Sequence, residues 1–473
     1  MKKITTIILL ILFLMPMALA DGMIIDPYGP VMEKGQQAAI IYEKKGDEYL
    51  EKMIISVQTD PIHKDKAAWI FPVPAEPDDV VIDVVTQFPR MRGYEVLREA
   101  KTNIENIIDF AKMSLIFPIF LQNMFFRGGY APMQMEALAK DAYIDIGQGV
   151  TIYEQIEKEG ITVQTLGANE GSTLWIFLRR EGLEVPMETI TVFDHYIDED
   201  YTFVVAFITP EESKPLYDEP YIAPEPATPE MRKAQIMPYY RGRNLGVEVM
   251  FHTDKLYYPL LPTSIYKSEK IPATIWVIGD HVTPKVYDKI EGFVETKYFK
   301  STGYQNYPML EEFFGDLRNE KNMKYTTISL RNVPSKYLTE DLWIEEKTPA
   351  NIQYANWITS LTYRNTGKLG FLMIAIISAL SGMIVGLIIF RENWWKLMIV
   401  SLANCLSIIA LIIALVFVKT RKIDAKLKEQ LREAGVLTVT RDFKKKALFI
   451  VGFIVAFYII AWAIKTMFVM PLN

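Results

Sequence analysis

Three stretches near the C-terminus, Leu369 to Phe390, Leu397 to Val418 and Ala447 to Ile464, are apolar over about the 20 residues needed to cross the hydrocarbon of a bilayer. They constrain the chain more than any other feature, because backbone in lipid must satisfy its own hydrogen bonds and so must be helical here. The sequence therefore predicts a membrane part of three transmembrane helices, 369–390, 397–418 and 447–464. Within the first, Ser378, Ser381, Gly382 and Gly386 are small residues of the kind that let helices approach closely in lipid. Asn404 is the polar residue of the second, read as an interhelical hydrogen-bonding amide rather than a transport site. Lys465, at the end of the third, can reach the interface with its ammonium.

The other end of the chain reads as an export signal. Lys2 and Lys3 precede an apolar run from Ile7 to Met15, and Ala18-Leu19-Ala20 forms a cleavage-like site, so residues 1–20 are expected to be a signal peptide cut before Asp21. An uncleaved anchor is the alternative, and it would leave the following domain on the same side. Export places about 340 residues outside the cytoplasm, enough for an ordinary hydrophobic core. That core must do without disulfides, because Cys405 is the only cysteine and lies in the second apolar segment. A net charge of -6 and a pI near 5.6 argue against a nucleic-acid partner.

These two ends conflict over the segment between the second and third spans. Three crossings from an exported domain place residues 419–446 outside and Asn473 in the cytoplasm. Yet Lys419, Arg421, Lys422, Lys426, Lys428, Arg432, Arg441, Lys444, Lys445 and Lys446 stand there against four acidic residues, and short basic loops stay in the cytoplasm. Making Ile107 to Phe126 a further crossing would bury Asp109 and Lys112 in lipid; the other escape discards the signal. Neither is adopted. The segment is read as an amphipathic helix, Ile423 to Glu433, lying on anionic headgroups or on the acidic exported domain.

The exported region alternates like an α+β domain with a mixed sheet. Ala38 to Tyr42 and Met53 to Val57 flank Lys44-Lys45-Gly46-Asp47, which predicts a hairpin. Ala67 to Phe71 is a third strand, which Pro72 and Pro74 would carry out of the sheet as a stiff exit, and Asp78 to Phe88 resumes the alternation. From Gly93 to Gly129 the pattern turns helical, ending in an apolar run, Met113 to Phe126, that is either a membrane-dipping segment or a buried helix. Two strands, a short helix stopped at Gly182, a second helix and the strand Phe203 to Ile208 follow. The proline- and acid-rich Thr209 to Pro238 reads as an extended loop, and Leu245 to Phe251 and Ala273 to Ile278 as further strands.

With these pieces in order, the chain resembles a family of exported, membrane-anchored proteins catalogued as domain of unknown function 2330. The residues that carry the resemblance are Gln37, Trp69-Ile70-Phe71-Pro72-Val73-Pro74, Leu174-Trp175 with Gly182 to Pro186, Tyr196-Ile197, Tyr201-Thr202-Phe203-Val204, and Phe251 to Asp254 with Tyr258-Pro259-Leu260. It covers about Asp21 to Pro284, which sets an exported domain at 21–284 and a membrane-proximal extension at 285–366. Members often carry cysteines near the mature start and in the middle of the domain, where this chain has none, and Met113 to Phe126 looks like an insertion there. The resemblance implies location and fold; it implies no activity.

The residues that could carry chemistry do not form a pattern that declares one. Asp194, His195, Asp198, Glu199 and Asp200 in "FDHYIDEDY" are dense enough to suggest a divalent metal, but lack both a calcium-loop glycine and the spacing of a zinc site, so a charged helix end is the reading preferred. His63, His252 and His281 are scattered singly. "GANEGS", Gly167 to Ser172, has glycines without the Gly-Lys-Ser/Thr of a phosphate loop and reads as a turn. Glu311 and Glu312 are adjacent, so they do not face one point on a helix, and no G-x-S-x-G is present. No catalytic, cofactor-binding or metal residue is assigned and no cofactor is expected. The sequence thus points to a multi-pass membrane protein with its large N-terminal domain outside the cytoplasm, serving as a binding or scaffold module whose partners are membrane lipids and another membrane or surface protein. The alternative is a cell-surface hydrolase or membrane-associated processing enzyme, since catalytic residues need not be near in sequence.

Overall fold

The computed structural model describes the chain apart from residues 1–21, 32, 47, 60–65, 86–87, 117–149, 159, 209–243, 267–269, 306–310, 316–322, 363–365, 391–393, 418–424, 435–442 and 473. The expected signal, the Phe117 to Phe126 part of the apolar run, and the loop from Thr209 to Pro238 lie outside the described residues. The chain divides into two compact units, one built from residues 1–94 and 133–348, the other from 95–132 and 349–473.

Strands β1 (Met23–Asp26), β2 (Gly29–Pro30), β3 (Glu33–Lys45), β4 (Glu48–Thr59), β5 (Ala67–Val73), β6 (Val81–Val85) and β7 (Arg90–Glu95) come first. Helix α1 (Val96–Ile116) then leaves for the second unit. The chain resumes in the first unit with β8 (Val150–Lys158), β9 (Ile161–Ala168), α2 (Gly171–Arg180), α3 (Thr189–Ile197) and β10 (Thr202–Ile208). It closes with β11 (Asn244–Thr253), β12 (Leu256–Tyr258), β13 (Lys270–Gly279), β14 (Thr283–Lys285), β15 (Val294–Gln305), β16 (Lys324–Pro334) and β17 (Leu342–Glu345). These strands form a six-stranded sheet, β2-β1-β5-β10-β9-β8, an eight-stranded sheet, β6-β11-β4-β3-β13-β16-β15-β7, and a small one, β12-β17-β14. The architecture is mixed α+β with several sheets. β13 runs parallel to β3, while β4 and β16 flank that pair antiparallel.

The period-two alternation of each strand sorts its side chains into two cores. Along β5, Ala67, Trp69, Phe71 and Val73 enter a core that they share with Ala38, Ile40, Met53, Ile55, Val247 and Val249 of the larger sheet. The intervening Ala68 and Ile70 face the other way, onto Leu174, Leu178 and Phe193 of α2 and α3. β10 divides in the same manner, with Val204, Ala206 and Ile208 on the first face and Phe203, Val205 and Phe207 on the second. The six-stranded sheet is therefore covered on both faces, which is why its central strands read as unbroken apolar runs. The hairpin β3–β4 turns where the sequence places it, with Gly46 at φ 71°, and α2 stops before Gly182 at φ 88°.

Two expectations for this unit change. Pro72 does not leave the sheet: it lies buried within β5, opposite Phe203. β1 pairs with β5 only as far as Ile70, so a missing N–H at Pro72 removes no bond from that ladder, and the exit begins at Pro74. The fold also runs past residue 284. β15 and β16 complete the larger sheet and β17 joins β12 to β14, so residues 285–348 are part of the sheets rather than an extension toward the membrane.

The second unit is helical: α1, α4 (Ala350–Thr362), α5 (Thr366–Val385) with a π turn at Gly386–Phe390, α6 (Trp394–Ala403), α7 (Ile408–Phe417), α8 (Ala425–Glu433) and α9 (Phe443–Val469). α1 lies along α4, α5 and α9, joined to them by Asn103 Nδ2 donating to Thr362 Oγ1 (2.8 Å), Tyr458 OH donating to Lys112 O (3.4 Å) and a Glu105–Lys465 ion pair (3.0 Å). Lys465 thus finds a carboxylate. A single passage of Ile107 to Phe126 through a bilayer is incompatible with the sheets, because β5 precedes that segment, β10 follows it, and the two pair residue for residue.

Among the described residues, two helices are long and apolar enough to cross a membrane, Leu369–Ile389 and Lys445–Leu472, and the bent pair α6–α7 makes a third if it is one span. The expected span 397–418 is not one helix. α6 and α7 meet at a 109° bend, and each has ten residues, about 15 Å against a core of about 30 Å.

Candidate functional site

Among the described residues, the densest cluster of ionisable groups withdrawn from water surrounds Asp341, just ahead of β17. Oδ1 accepts the backbone N–H groups of Leu260 (2.7 Å) and Leu261 (2.9 Å). Tyr196 OH lies 2.9 Å from both carboxylate oxygens, and Tyr257 OH donates to Oδ2 at 3.1 Å. The two phenols arrive from different elements, Tyr196 from the buried side of α3 and Tyr257 from β12, and Tyr201 packs its ring between them, 5.2 Å and 5.8 Å from theirs. Burial pushes the Asp341 carboxyl above the ordinary carboxylate range, against the pull of the two amides and two phenols that bind its charge. Burial likewise raises both phenols well above their usual range, with the Asp341 charge adding to it. They are hydroxyl donors, not bases.

Chemically this arrangement is a tether. One carboxylate ties the turn after β12, the small sheet and α3 together. Residues from separate stretches on which the expected resemblance rests meet here: Tyr196, Tyr201 and Leu260. Tyr258, in the same stretch as Leu260, donates its hydroxyl to Gln36 Oε1 at 3.0 Å.

Glu51 is the second buried acid. It accepts the N–H of Tyr257 on Oε2 at 2.8 Å, while Oε1 is buried without a hydrogen-bond partner. Burial raises its carboxyl well above the ordinary range, against the pull of the Tyr257 N–H. His281 is fully buried; its Nε2 lies 2.9 Å from the carbonyl oxygen of Phe299, which only accepts, so the proton is on Nε2. Burial lowers its pKa and keeps it neutral.

The residues singled out from the sequence do structural work where they are described. In "FDHYIDEDY", Asp194 Oδ1 accepts the N–H of Gly171 at 2.7 Å and fixes the start of α2. Asp198 to Asp200 form the turn that ends α3, with Asp200 in the left-handed region at φ 59°. No group of three His, Cys, Asp or Glu among the described residues converges as a metal site. "GANEGS" runs from the end of β9 through a bend into α2, as a turn. Glu312 offers its backbone carbonyl to Lys52 (2.9 Å), and that ammonium pairs with Glu248 (2.9 Å). His252 is exposed and His63 lies outside the described residues.

The sequence reading did not single out Asp341 or Glu51. Nothing distinguishes Asp341 among the acids of "YLTEDLWIEE". Glu51 left a signal: it falls in phase with Tyr49, Met53 and Ile55 on the interior face of β4, an acid at a core position.

Comparison with known proteins gives little beyond this geometry. No protein-family model matches the chain, and no solved structure matches it. A curated sequence that is similar is the D-lysergyl-peptide-synthetase subunit 2 of Epichloe festucae var. lolii, 27% identical over 161 residues, which are 33% of this chain and 11% of that protein. The matched region thus spans about a tenth of that protein's length.

Proposed function

We propose that this protein is a membrane-anchored binding or scaffold module whose sheet-bearing unit, residues 21–94 and 133–348, works outside the cytoplasm against a membrane or surface protein. The observation that carries the reading is how the buried polar groups are used. Asp341, with donors from four residues on two of its faces, and neutral His281, bonded to a backbone carbonyl, hold loops and strands in register. Anchorage is supported by the two helices long enough to cross and by the exposed apolar surface of α9, where Leu448, Ile459 and Trp462 are each more than half exposed and suited to lipid. Export is supported by the basic, apolar, Ala-x-Ala start of the chain. The partial similarity to a peptide-synthetase subunit brings no site to this chain.

The reading is tested with the full chain in lipid nanodiscs, presented with chromogenic esters, phosphoesters, glycosides and peptides. It expects no turnover that depends on the protein's own acids and imidazoles. Turnover lost on His281→Gln or Asp341→Asn, in protein that remains folded at the assay temperature, would make it an enzyme.

A further inference from the structure

The break between α6 and α7 is built as a helix end followed by a helix start. Cys405 adopts the left-handed conformation, φ 50°, rare for a residue with a side chain. The N–H of Leu406 reaches back to Ser401 O at 2.9 Å and that of Cys405 to Leu402 O at 3.2 Å, the paired bonds that terminate a helix. Asn404 Nδ2 closes onto Val400 O (2.8 Å) and also reaches Gln430 Oε1 of α8 (2.7 Å). Ser407 then opens α7, its Oγ accepting the N–H of Ala410 at 3.2 Å. The carbonyls of Val400, Ser401, Leu402 and Leu406, which the break would otherwise leave bare in lipid, thus find local donors, as a helix that stops inside a membrane protein requires.

The flanking helices give the direction of the chain. α6 folds back on α5 so closely that a Cβ at Gly382 would sit 2.6 Å from Leu397 O, and one at Gly386 2.5 Å from Trp394 Cα. α9 runs antiparallel to α5. At its start, Lys446 Nζ donates to Ile389 O at the end of α5 (3.0 Å). Further along, Tyr458 reaches Lys112 on α1, and the neighbouring Phe110 lies against Gly370 near the start of α5. α9 begins where α5 ends, and by Tyr458 it has come to the level where α5 begins.

We infer that the chain crosses the bilayer twice, by α5 and α9, that α6 and α7 form a re-entrant pair entering and leaving by one face, and that residues 419–446 lie on the opposite side of the membrane from the folded unit, with the C-terminus on the folded unit's side. This topology removes the conflict that three crossings create. Between Phe390 and Ala447 the chain holds twelve Lys and Arg against five acids, whereas residues 349–368 and 465–473 on the other face hold only Arg364, Lys368 and Lys465. The positive-inside bias then places the loop in the cytoplasm and the folded unit outside, as the export signal does. Which face is outside rests on the proposed export; the opposition of the two faces does not.

The test uses single cysteines at Lys285, Ala425 and Met470 in full-length protein carrying Cys405→Ser, each labelled with an impermeant thiol reagent in intact and in permeabilised cells. Each variant is first shown to reach the membrane fraction. The expected pattern is labelling at Lys285→Cys and Met470→Cys in intact cells, and at Ala425→Cys only after permeabilisation. The mirror image, with Ala425→Cys alone labelled in intact cells, upholds the two-crossing topology and overturns export. Labelling of Ala425→Cys together with Lys285→Cys, or a split between Lys285→Cys and Met470→Cys, overturns the topology.

Discussion

Replacing Asp341 separates a structural tether from a decorative contact. Asp341→Ala strands the buried N–H of Leu260 and the part-buried N–H of Leu261, along with the buried hydroxyls of Tyr196 and Tyr257. A buried donor left unmatched costs about 1–3 kcal/mol, and the phenols can rotate toward other acceptors while the amides cannot, so the two amides set the scale at about 4 kcal/mol. Asp341→Asn keeps an oxygen for both amides and presents its NH2 to hydroxyls able to turn and accept, so it should cost about 1–2 kcal/mol. Tyr196→Phe removes one donor from a carboxylate that retains three, and should fall near the same 1–2 kcal/mol. Pulse proteolysis across a urea series, on the full chain in nanodiscs, reads the stability of the folded unit without requiring the helical unit to unfold. Ala and Asn variants equal within about 0.5 kcal/mol would refute the reasoning, since the amide acceptor is what distinguishes them.

Three further outcomes follow from the same structure. Trp69→Ala should cost about 3–5 kcal/mol by emptying the core between the two large sheets, and Pro74→Ala far less, as read by the same proteolysis series. Glu51 has its carboxyl raised in the folded state, so its contribution is full below the ordinary carboxylate range and is lost as pH rises toward the raised value, by about 1.4 kcal/mol per pH unit in that window. Glu51→Gln should accordingly gain on the parent as pH rises above the ordinary carboxylate range, and a difference that stays constant with pH would show that Glu51 does not titrate this way. Gly382→Val should separate α5 from α6, and lower the melting temperature of the nanodisc-embedded chain by several degrees, more than Gly452→Val, whose added Cβ meets nothing.

How much of this was legible in the sequence depends on whether the signal was local. The hairpin turn at Gly46, the stop before Gly182 and the two-faced burial of β5 and β10 follow from turn chemistry and alternation over a few residues. The contribution of β15 to β17 was not legible, because their pairing with β13, β12 and β14 is long-range and no local pattern marks a domain boundary. The break at Asn404 to Ser407 was partly legible: Ser407 before an apolar run is a helix-start signal, but mean hydropathy over the window hid it, and a cysteine is not the residue one expects in the left-handed position of a helix end. Asp341 was silent, because a carboxylate's donors, two of them backbone amides some 80 positions earlier, leave no trace at its own position.

The account turns on residues 21–94 and 133–348 being one folded unit held outside the cytoplasm. The most direct measurement is limited proteolysis of intact cells expressing the full chain, with one epitope at the C-terminus and a second in an exposed turn such as Asp288-Lys289. The account predicts that trypsin removes the internal epitope in intact cells while a cytoplasmic marker protein survives, and that the fragments include α9 protected by the membrane. An internal epitope untouched until the cells are opened, in cells whose other surface proteins are digested, would contradict it.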